Sequence, residues 1–337
     1  MILQAFFAAA QQIRGVFLES HAVRAFHSDH FVLALPAGHS FPMSKYRLLR
    51  EAAEATLPRL RVTEAPPASD GELALAHDPS WITAVVEGTT SAAQQREIGF
   101  PWSERMVERA RRSVGATIAA ARTALFEREG VATSLAGGTH HAYAHKGSGY
   151  CVFNDVAVAA RLMQAEWHRR GESLRHGLLR VLVIDLDVHQ GNGTAAIFAD
   201  DPSVFTLSLH GEKNFPFRKE ASSLDVALPD GCTDEPYLAA LDQALAQTWE
   251  RLAAHPPGLA FYLAGADPHE NDRLGRLKLS AAGLAERDRR VLLAVRERAI
   301  PVAVVMAGGY GRDLAVTVDI QRSTLVQACA SWESWPS

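Results

Sequence analysis

The chain has 337 residues, of which 47% are hydrophobic and 21% charged, with a formal net charge of -4. This composition is that of an ordinary globular protein and excludes a disordered, collagenous or coiled-coil chain. The net negative charge gives no general attraction for nucleic acid, and no apolar run reaches the roughly 20 residues that span a bilayer. The three cysteines are far apart and form no Cys-x-x-Cys pair, which argues against a disulfide framework and favours a reducing, cytoplasmic location.

The first residues are almost wholly apolar. The apolar positions recur at helical spacing, as Phe6, Phe7, Ala10, Ile13 and Phe17. A signal peptide usually begins with basic residues, but the first arginine here is Arg14. We therefore expect residues 1–23 to form a helical N-terminal extension that packs on the domain or on a second copy of the chain. The alternative is that this segment is a signal peptide for secretion. We expect residues 24–337 to form a single domain.

Helix and strand patterns alternate from about residue 103 onward. Apolar residues recur every three or four positions after Ser103, a suitable N-cap, and Gly130 closes this helix. The predicted elements that follow are a helix at 155–170, strands at 181–184 and 204–209, a helix from about Asp234, a strand at 259–263, a helix at 284–300 and a strand at 302–306. This alternation, without a break in composition, predicts an α/β domain with a parallel sheet between helices.

Polar residues directly follow three of the predicted strands. They are Asp185, Asp187 and His189 after the first, Asp267 after the second and Tyr310 after the third, and the pair His140 and His141 follows a glycine turn. Residues two apart share one face of an extended segment, and ligands of parallel sheets bind beyond the carboxyl ends of strands. Each motif alone has a plainer explanation as a helix cap or a turn, but their joint occurrence favours a site.

Asp187, His189 and Asp267 offer two carboxylates and one imidazole to a metal ion. Three ligands without a thiolate are typical of an open catalytic site rather than a closed structural one, and they suit Zn²⁺ or Fe²⁺. A bound zinc lowers the pKa of its water to about 7 and polarises a carbonyl. With two histidines to move protons and Tyr310 to stabilise an oxyanion, the set predicts amide hydrolysis.

Several stretches of the chain share their pattern with one known family. They are Gly137–Ala142, Gly149–Asp155, Asp185–Gly193, Ser208–His210 and Gly308–Tyr310, with Phe26–Phe31 and Gly38–Pro42 near the N-terminus. On these stretches the chain resembles the histone deacetylase family, including bacterial histone deacetylase-like amidohydrolases and the small class IV type. The resemblance extends over residues 24–316. It implies the arginase/deacetylase fold, a single α/β domain with an eight-stranded parallel sheet.

The resemblance implies a zinc-dependent hydrolase that removes acetyl or longer acyl groups from the ε-amine of lysine. The implied roles are metal ligand for Asp187, His189 and Asp267, general base and then acid for His141, its electrostatic partner for His140, and oxyanion stabiliser for Tyr310. Asp185 would accept a hydrogen bond from His140 and fix its tautomer. Asn192 stands where many relatives carry Asp as the partner of His141, which should make His141 less basic.

The resemblance also implies an inner potassium site and a substrate tunnel. The potassium ligands would be Asp185, Asp187, Ser208 and the backbone of His189 and Leu209. The tunnel would be lined by Gly149, Tyr150, Leu274 and Phe215, with Phe217 the alternative to Phe215. An arginine that the family usually carries in its N-terminal loop is matched at best by Lys45.

The position of Leu274 bears on the substrate. Relatives that prefer acetylpolyamines carry an acidic residue there, so the leucine favours acyl-lysine in a protein or peptide. An acetylpolyamine or another small amide is the alternative substrate, and a non-catalytic acyl-lysine or metal-binding module is the alternative from another class. The preferred acyl length stays open.

Overall fold

Eight parallel strands form one sheet in the part of the chain that the computed structural model describes, residues 22–336. The strands are β1 (Val23–His27), β2 (Leu60–Glu64), β3 (Val131–Ser134), β4 (Val181–Asp185), β5 (Val204–Gly211), β6 (Leu224–Leu228), β7 (Leu259–Ala264) and β8 (Val302–Met306). Their order across the sheet is β2-β1-β3-β8-β7-β4-β5-β6. The predicted eight-stranded parallel α/β fold is confirmed. Residues 1–21 lie outside the described residues, so the helical extension predicted for residues 1–23 and its packing stay predictions, while Val23 already belongs to β1.

Helices cover both faces of the sheet. They are α1 (Lys45–Thr56), α2 (Asp70–Leu73), α3 (Pro79–Val86), α4 (Ala92–Ile98), α5 (Glu104–Leu125), α6 (Asp155–Arg169), α7 (Glu172–His176), α8 (Asn192–Ile197), α9 (Asp234–Leu252), α10 (Ala281–Arg296) and α11 (Leu314–Glu333). One buried apolar cluster includes α5 and α6, and a second on the other face includes α1, α9, α10 and α11. Alternate residues of β7 and β8 enter the two clusters, which is why these strands read as unbroken apolar runs.

Two predicted helices end earlier in the structure than their patterns indicate. Helix α5 is capped as expected, since the Ser103 hydroxyl accepts a hydrogen bond from the Met106 amide at 3.1 Å. It ends at Leu125 rather than near Gly130, because the chain turns at Arg128 and Gly130, whose φ angles are 61° and 71°. Likewise α10 ends at Arg296 and not at residue 300, where the pattern predicted its end, because Ala299 has a φ angle of 51°. Positive φ angles are incompatible with a continuing right-handed helix.

The sheet order brings distant segments to one place. Strand β8 lies between β3 and β7, and β4 pairs with the other side of β7. The carboxyl ends of these four adjacent strands therefore carry residues 137–141, 307–310, 265–267 and 187–189 to the same edge of the sheet. This is the position at which parallel α/β sheets bind their ligands.

The structure also bears on the cysteines and on membranes. All three cysteines, Cys151, Cys232 and Cys329, are buried and free. Within residues 22–336, no helix combines the length and the apolar character that a bilayer crossing needs.

Candidate active site

Asp187, His189 and Asp267 converge beyond β4 and β7, as predicted. Their ligand atoms lie within 4.8 Å of one another, and all three residues are buried. His189 Nδ1 is 2.9 Å from Asp187 Oδ1 and 3.3 Å from Asp267 Oδ2. Asp267 Oδ2 is buried without a hydrogen-bond partner. Two adjacent buried carboxylates with an unused oxygen call for positive charge, so these residues fit a divalent cation with oxygen and nitrogen ligands.

The charges within this cluster shift its pKa values strongly. Burial alone would lower the pKa of His189, but the neighbouring carboxylates of Asp187 and Asp267 raise it to about 10. Burial and the neighbouring Asp187 charge raise the pKa of Asp267 to about 7. The cluster thus favours a positive charge at its centre, and a metal ion would displace the His189 proton to take that place.

Backbone groups and one buried arginine hold the carboxylates in position. Gly308 N donates to Asp187 Oδ2 at 2.6 Å, and Val188 N donates to Asp267 Oδ1 at 3.0 Å. A Cβ atom at Gly308 would lie 1.8 Å from Asp267 Oδ2, so only glycine permits this approach. Arg287, which is fully buried, donates to the carbonyls of Leu186 and Gly265 at 3.2 and 2.7 Å. The segments after β4 and β7 are therefore tied to each other.

The histidine pair follows a turn that Asp155 organises. The Asp155 carboxylate accepts hydrogen bonds from Gly138 N at 3.1 Å and Thr139 N at 2.8 Å. Asn154, the N-cap of α6, donates to the Ala142 carbonyl at 3.1 Å. The start of α6 thus fixes the backbone on both sides of the pair.

The two histidines have different partners and different charges. His140 Nδ1 lies 2.7 Å from Asp185 Oδ2, and His141 Nδ1 lies 2.6 Å from Asn192 Oδ1, as the sequence predicts. Burial opposes a charge on His140, but Asp185 and Asp187 raise its pKa to about 9. Burial and the positive charge of His140 lower the pKa of His141 well below its usual value. These opposite pKa shifts favour the charged form of His140 and the neutral form of His141, which can accept a proton.

All four predicted tunnel residues line one cavity of about 890 Å³. The cavity reaches from the surface to His141, His189 and Tyr310. We call these three residues, together with His140, Asp187 and Asp267, the site floor.

Gly149 and the ring of Phe215 lie next to each other and form one wall of the tunnel. The Phe215 and His141 ring centroids are 4.9 Å apart. Gly149 has φ 52°, and a Cβ there would lie 2.7 Å from the His141 ring. Phe217 is 87% exposed, so Phe215 rather than Phe217 is the wall residue beside His141.

Charged residues surround the outer end of the cavity. We call them the rim: Arg96, Glu97, Lys146, Arg218 and Glu220. Lys146 Nζ lies 2.7 Å from Glu97 Oε1. Leu274 is partly exposed beside them, and the preceding Arg273 donates to the Tyr310 carbonyl at 2.8 Å. The mouth of the cavity is therefore not an acidic one.

Two buried cations lie behind the site floor. Lys45 is 1% exposed, and its ammonium donates to the carbonyls of Ala307 and Gly309 at 3.3 and 3.4 Å. Lys45 and the buried Arg109 both line a small inner space together with Tyr310. Lys45 therefore faces the inner side of the site.

Three of the predicted potassium ligands, Asp185, Ser208 and Leu209, lie on two paired strands, and the other two, Asp187 and His189, follow β4 directly. Asp185 of β4 is in register with Ser208 of β5, and Leu209 follows at the next position. Ser208 Oγ lies 3.0 Å from His210 Nδ1, so His210 adjoins this group. Three other histidines between residues 140 and 210, His145, His168 and His176, are exposed.

Sequence reasoning missed two residues near His141. Tyr143 O–H donates to Glu220 Oε1 at 3.0 Å and accepts from Asn192 Nδ2 at 2.9 Å. Tyr143 lies only two residues after His141, which is a signal that could have been used. Glu220 lies in a loop without periodicity, and nothing local links it to the site.

An open parallel sheet with a histidine pair, a tyrosine and an Asp–His–Asp group at its carboxyl edge defines a class of amide hydrolases. Residues 39–322 match the family described as the histone deacetylase domain. The chain belongs to the histone deacetylase family.

Individual relatives agree with this assignment. The chain is 43% identical to an uncharacterized protein of Picosynechococcus, over 86% of this chain and 92% of that one. It is 32% identical to a histone deacetylase-like amidohydrolase of Pseudomonas aeruginosa, over 81% of this chain and 73% of the relative. The crystal structure of a histone deacetylase homologue from Aquifex aeolicus superimposes with a TM-score of 0.73 at 23% identity, covering 92% of this chain and 84% of that one, which supports the fold.

Proposed function

We propose that the protein is a metal-dependent deacylase that hydrolyses the amide between an acyl group and the ε-amine of lysine. The observation that carries the proposal is the site floor. A neutral His141 and the Tyr310 phenol line one cavity together with the buried metal-ligand candidate His189. A base, an oxyanion donor and a cation site in one cavity are the parts that amide hydrolysis requires.

Asp187, His189 and Asp267 would hold the metal, with Zn²⁺ as our proposal and Fe²⁺ as the alternative. When bound, the ion supplies a positive charge that polarises the acyl carbonyl and makes a neighbouring water more acidic. A potassium ion at the Asp185 and Ser208 group is a further part of the proposal. It would stabilise the carboxylate that holds His140.

His141 accepts the proton of the attacking water at Nε2 and later delivers it to the departing lysine amine. The charge on His140 keeps His141 a weak base, so that it releases the proton readily. Tyr310 donates its O–H to the carbonyl oxygen as negative charge develops there. Burial keeps the pKa of Tyr310 well above 10, so the phenol stays protonated and remains a donor.

The rim favours acyl-lysine over an acetylpolyamine. Three cationic rim residues, Arg96, Lys146 and Arg218, outnumber the two acids, Glu97 and Glu220. Leu274 offers no charge to a second ammonium group. A polycation would therefore meet net repulsion at the mouth, whereas the acylated side chain of one lysine enters as a neutral group.

The decisive experiment is a panel of lysine peptides with acyl chains of increasing length, assayed beside N-acetylspermidine. Metal content is measured on the same preparation. We expect turnover of at least one acyl-lysine peptide and little turnover of the polyamine. Preferred hydrolysis of acetylspermidine would replace the lysine proposal by the polyamine alternative. Peptide binding without turnover at full metal occupancy would support a non-catalytic module instead.

A further inference from the structure

A chain of four hydrogen-bonded side chains runs outward from the site floor to the rim. It begins at His141 Nδ1, which lies 2.6 Å from Asn192 Oδ1. Asn192 Nδ2 donates to the Tyr143 hydroxyl at 2.9 Å, and Tyr143 donates to Glu220 Oε1 at 3.0 Å. Asn192 is buried, and both Tyr143 and Glu220 line the large cavity.

The direction of every bond in this chain follows from the carboxylate at its outer end. A carboxylate only accepts, so the single Tyr143 proton points to Glu220. The Tyr143 oxygen must then accept from the NH₂ group of Asn192, which turns the Asn192 carbonyl toward His141. A carbonyl also only accepts, so the Nδ1 atom of His141 must carry the hydrogen.

An asparagine needs this orientation to be imposed, whereas an aspartate does not. The two ends of a carboxylate are equivalent, but an amide rotated by 180° would present its NH₂ group to His141. Nδ1 would then have to be the unprotonated nitrogen, and the hydrogen would move to Nε2. His141 in that tautomer has no lone pair for the attacking water.

We propose that Tyr143 and Glu220 are positioning residues that hold the Asn192 amide in one orientation and thereby keep the Nε2 atom of His141 free as the base. The inference rests on the proposed function for the role of His141. Its geometric part, the orientation of the amide and the tautomer of the imidazole, does not depend on any substrate.

Both positioning residues are anchored by their backbones. His77 Nδ1 lies 3.0 Å from the Tyr143 carbonyl, while its Nε2 accepts from Asn154 N at 2.8 Å. Gln190 donates to the Glu220 carbonyl at 2.7 Å and accepts from Glu220 N at 2.9 Å. Gln190 directly follows His189, so the loop that carries Glu220 is tied to the site floor.

The first test reads the tautomer itself. Zinc-loaded protein with ¹⁵N-labelled histidine is examined by two-bond ¹H–¹⁵N correlation, which distinguishes protonated from unprotonated ring nitrogens, and His141→Gln assigns the signals. We expect the Nδ1–H form in the wild type and a clear share of the Nε2–H form in Tyr143→Phe. An unchanged His141 pattern in both Tyr143→Phe and Glu220→Gln would overturn the inference.

The second test uses kinetics on the best peptide of the panel. Tyr143→Phe and Glu220→Gln should each lower kcat about 10-fold, the lower end of the cost for outer hydrogen-bond partners of metal-binding histidines, with little change in KM. Glu212→Gln is the matched control, because Glu212 is an exposed carboxylate in the same loop. The control should retain wild-type kcat.

Asn192→Asp separates positioning from a merely structural role. With a carboxylate at 192 no orientation has to be imposed, so adding Tyr143→Phe should cost less than about twofold. An equal loss in both backgrounds would show that Tyr143 only supports the fold, and would reject the proposal. If no acyl-lysine peptide is hydrolysed by the wild type, the proposed function fails, while the spectra still decide the tautomer question.

Discussion

The site floor and the rim differ in how their side chains are held. Each carboxylate of the floor is bound by backbone amides or by His189, and the fully buried Arg287 ties the two segments beneath them. The rim consists of charged side chains on the short helix α4 and on loops, and Arg96, Glu97 and Arg218 are exposed. The difference indicates that the ends of the central strands hold the groups for the reaction, whereas exposed segments that can vary without unfolding the sheet surround the mouth of the cavity.

The largest effect is expected from removing a ligand of the floor. Asp267→Asn takes away one of two carboxylates and should reduce metal content far below stoichiometric and hydrolysis to background. Metal analysis and the peptide assay measure both. Asp200→Asn, which changes an exposed carboxylate, is the control. Full metal binding by Asp267→Asn would show that the ion is held elsewhere.

Tyr310→Phe should act on the reaction alone. Loss of one oxyanion donor lowers kcat about 100-fold or more, because the donor acts only as charge develops. Metal content and the urea midpoint of unfolding should stay at wild-type values. Normal turnover would rule out the phenol as the oxyanion donor and would show that another residue of the site floor stabilises the oxyanion.

His77 tests whether the support of the floor is sensitive to acid. Burial lowers the pKa of His77 to about 4, from about 6.5 in the unfolded chain. As the pH falls, the unfolded state therefore takes up a proton before the folded state does. The contribution of neutral His77 to the free energy of unfolding is complete above pH 6.5 and is lost as the pH falls toward 4. Between pH 7 and 5 the loss should be about 2 kcal/mol.

The matched variant for this test is His77→Gln, which can keep both hydrogen bonds but does not titrate. Urea unfolding at the two pH values should show a smaller decrease for His77→Gln than for the wild type. Equal decreases in the two proteins would mean that His77 is not the acid-sensitive group.

The smallest effect is expected at the rim. Leu274→Glu adds an acidic group at the mouth and should shift the ratio of kcat/KM for acetylspermidine over acetyl-lysine peptide by about fivefold toward the polyamine. Leu274→Gln controls for polarity without charge. The urea midpoint should not change, since Leu274 is partly exposed. A loss of activity toward both substrates would instead show that Leu274 is needed for the reaction itself and not only for the choice of substrate.

The sequence was informative where local pattern and burial coincide. Strands β7 and β8, and β4 as far as Ile184, are apolar because both faces are buried, and floor residues follow directly after each of them. In the edge strands β2 and β6, polar residues interrupt the apolar ones and one face is exposed, so no continuous apolar run predicted them. The number of strands came from the family resemblance.

Contacts between distant loops could not be predicted from the sequence. Tyr143 and Glu220 are 77 positions apart, and their hydrogen bond depends on how two irregular segments cross. The buried position of Lys45 likewise depends on α1 packing beneath the turn after β8. Such contacts follow from tertiary packing, which neither periodicity nor motif spacing encodes.

The central place of β8 has a consequence for how the chain folds as it is synthesised. Strand β3 pairs with β1 on one edge, but its other edge, where Val131 pairs with Val302, has no partner until β8 has been made. Until then the edges of β3 and β7 are open, and such edges favour aggregation and slow folding. Tyr310 follows β8 directly, so the strand that is made last among the eight also brings the last residue of the site floor.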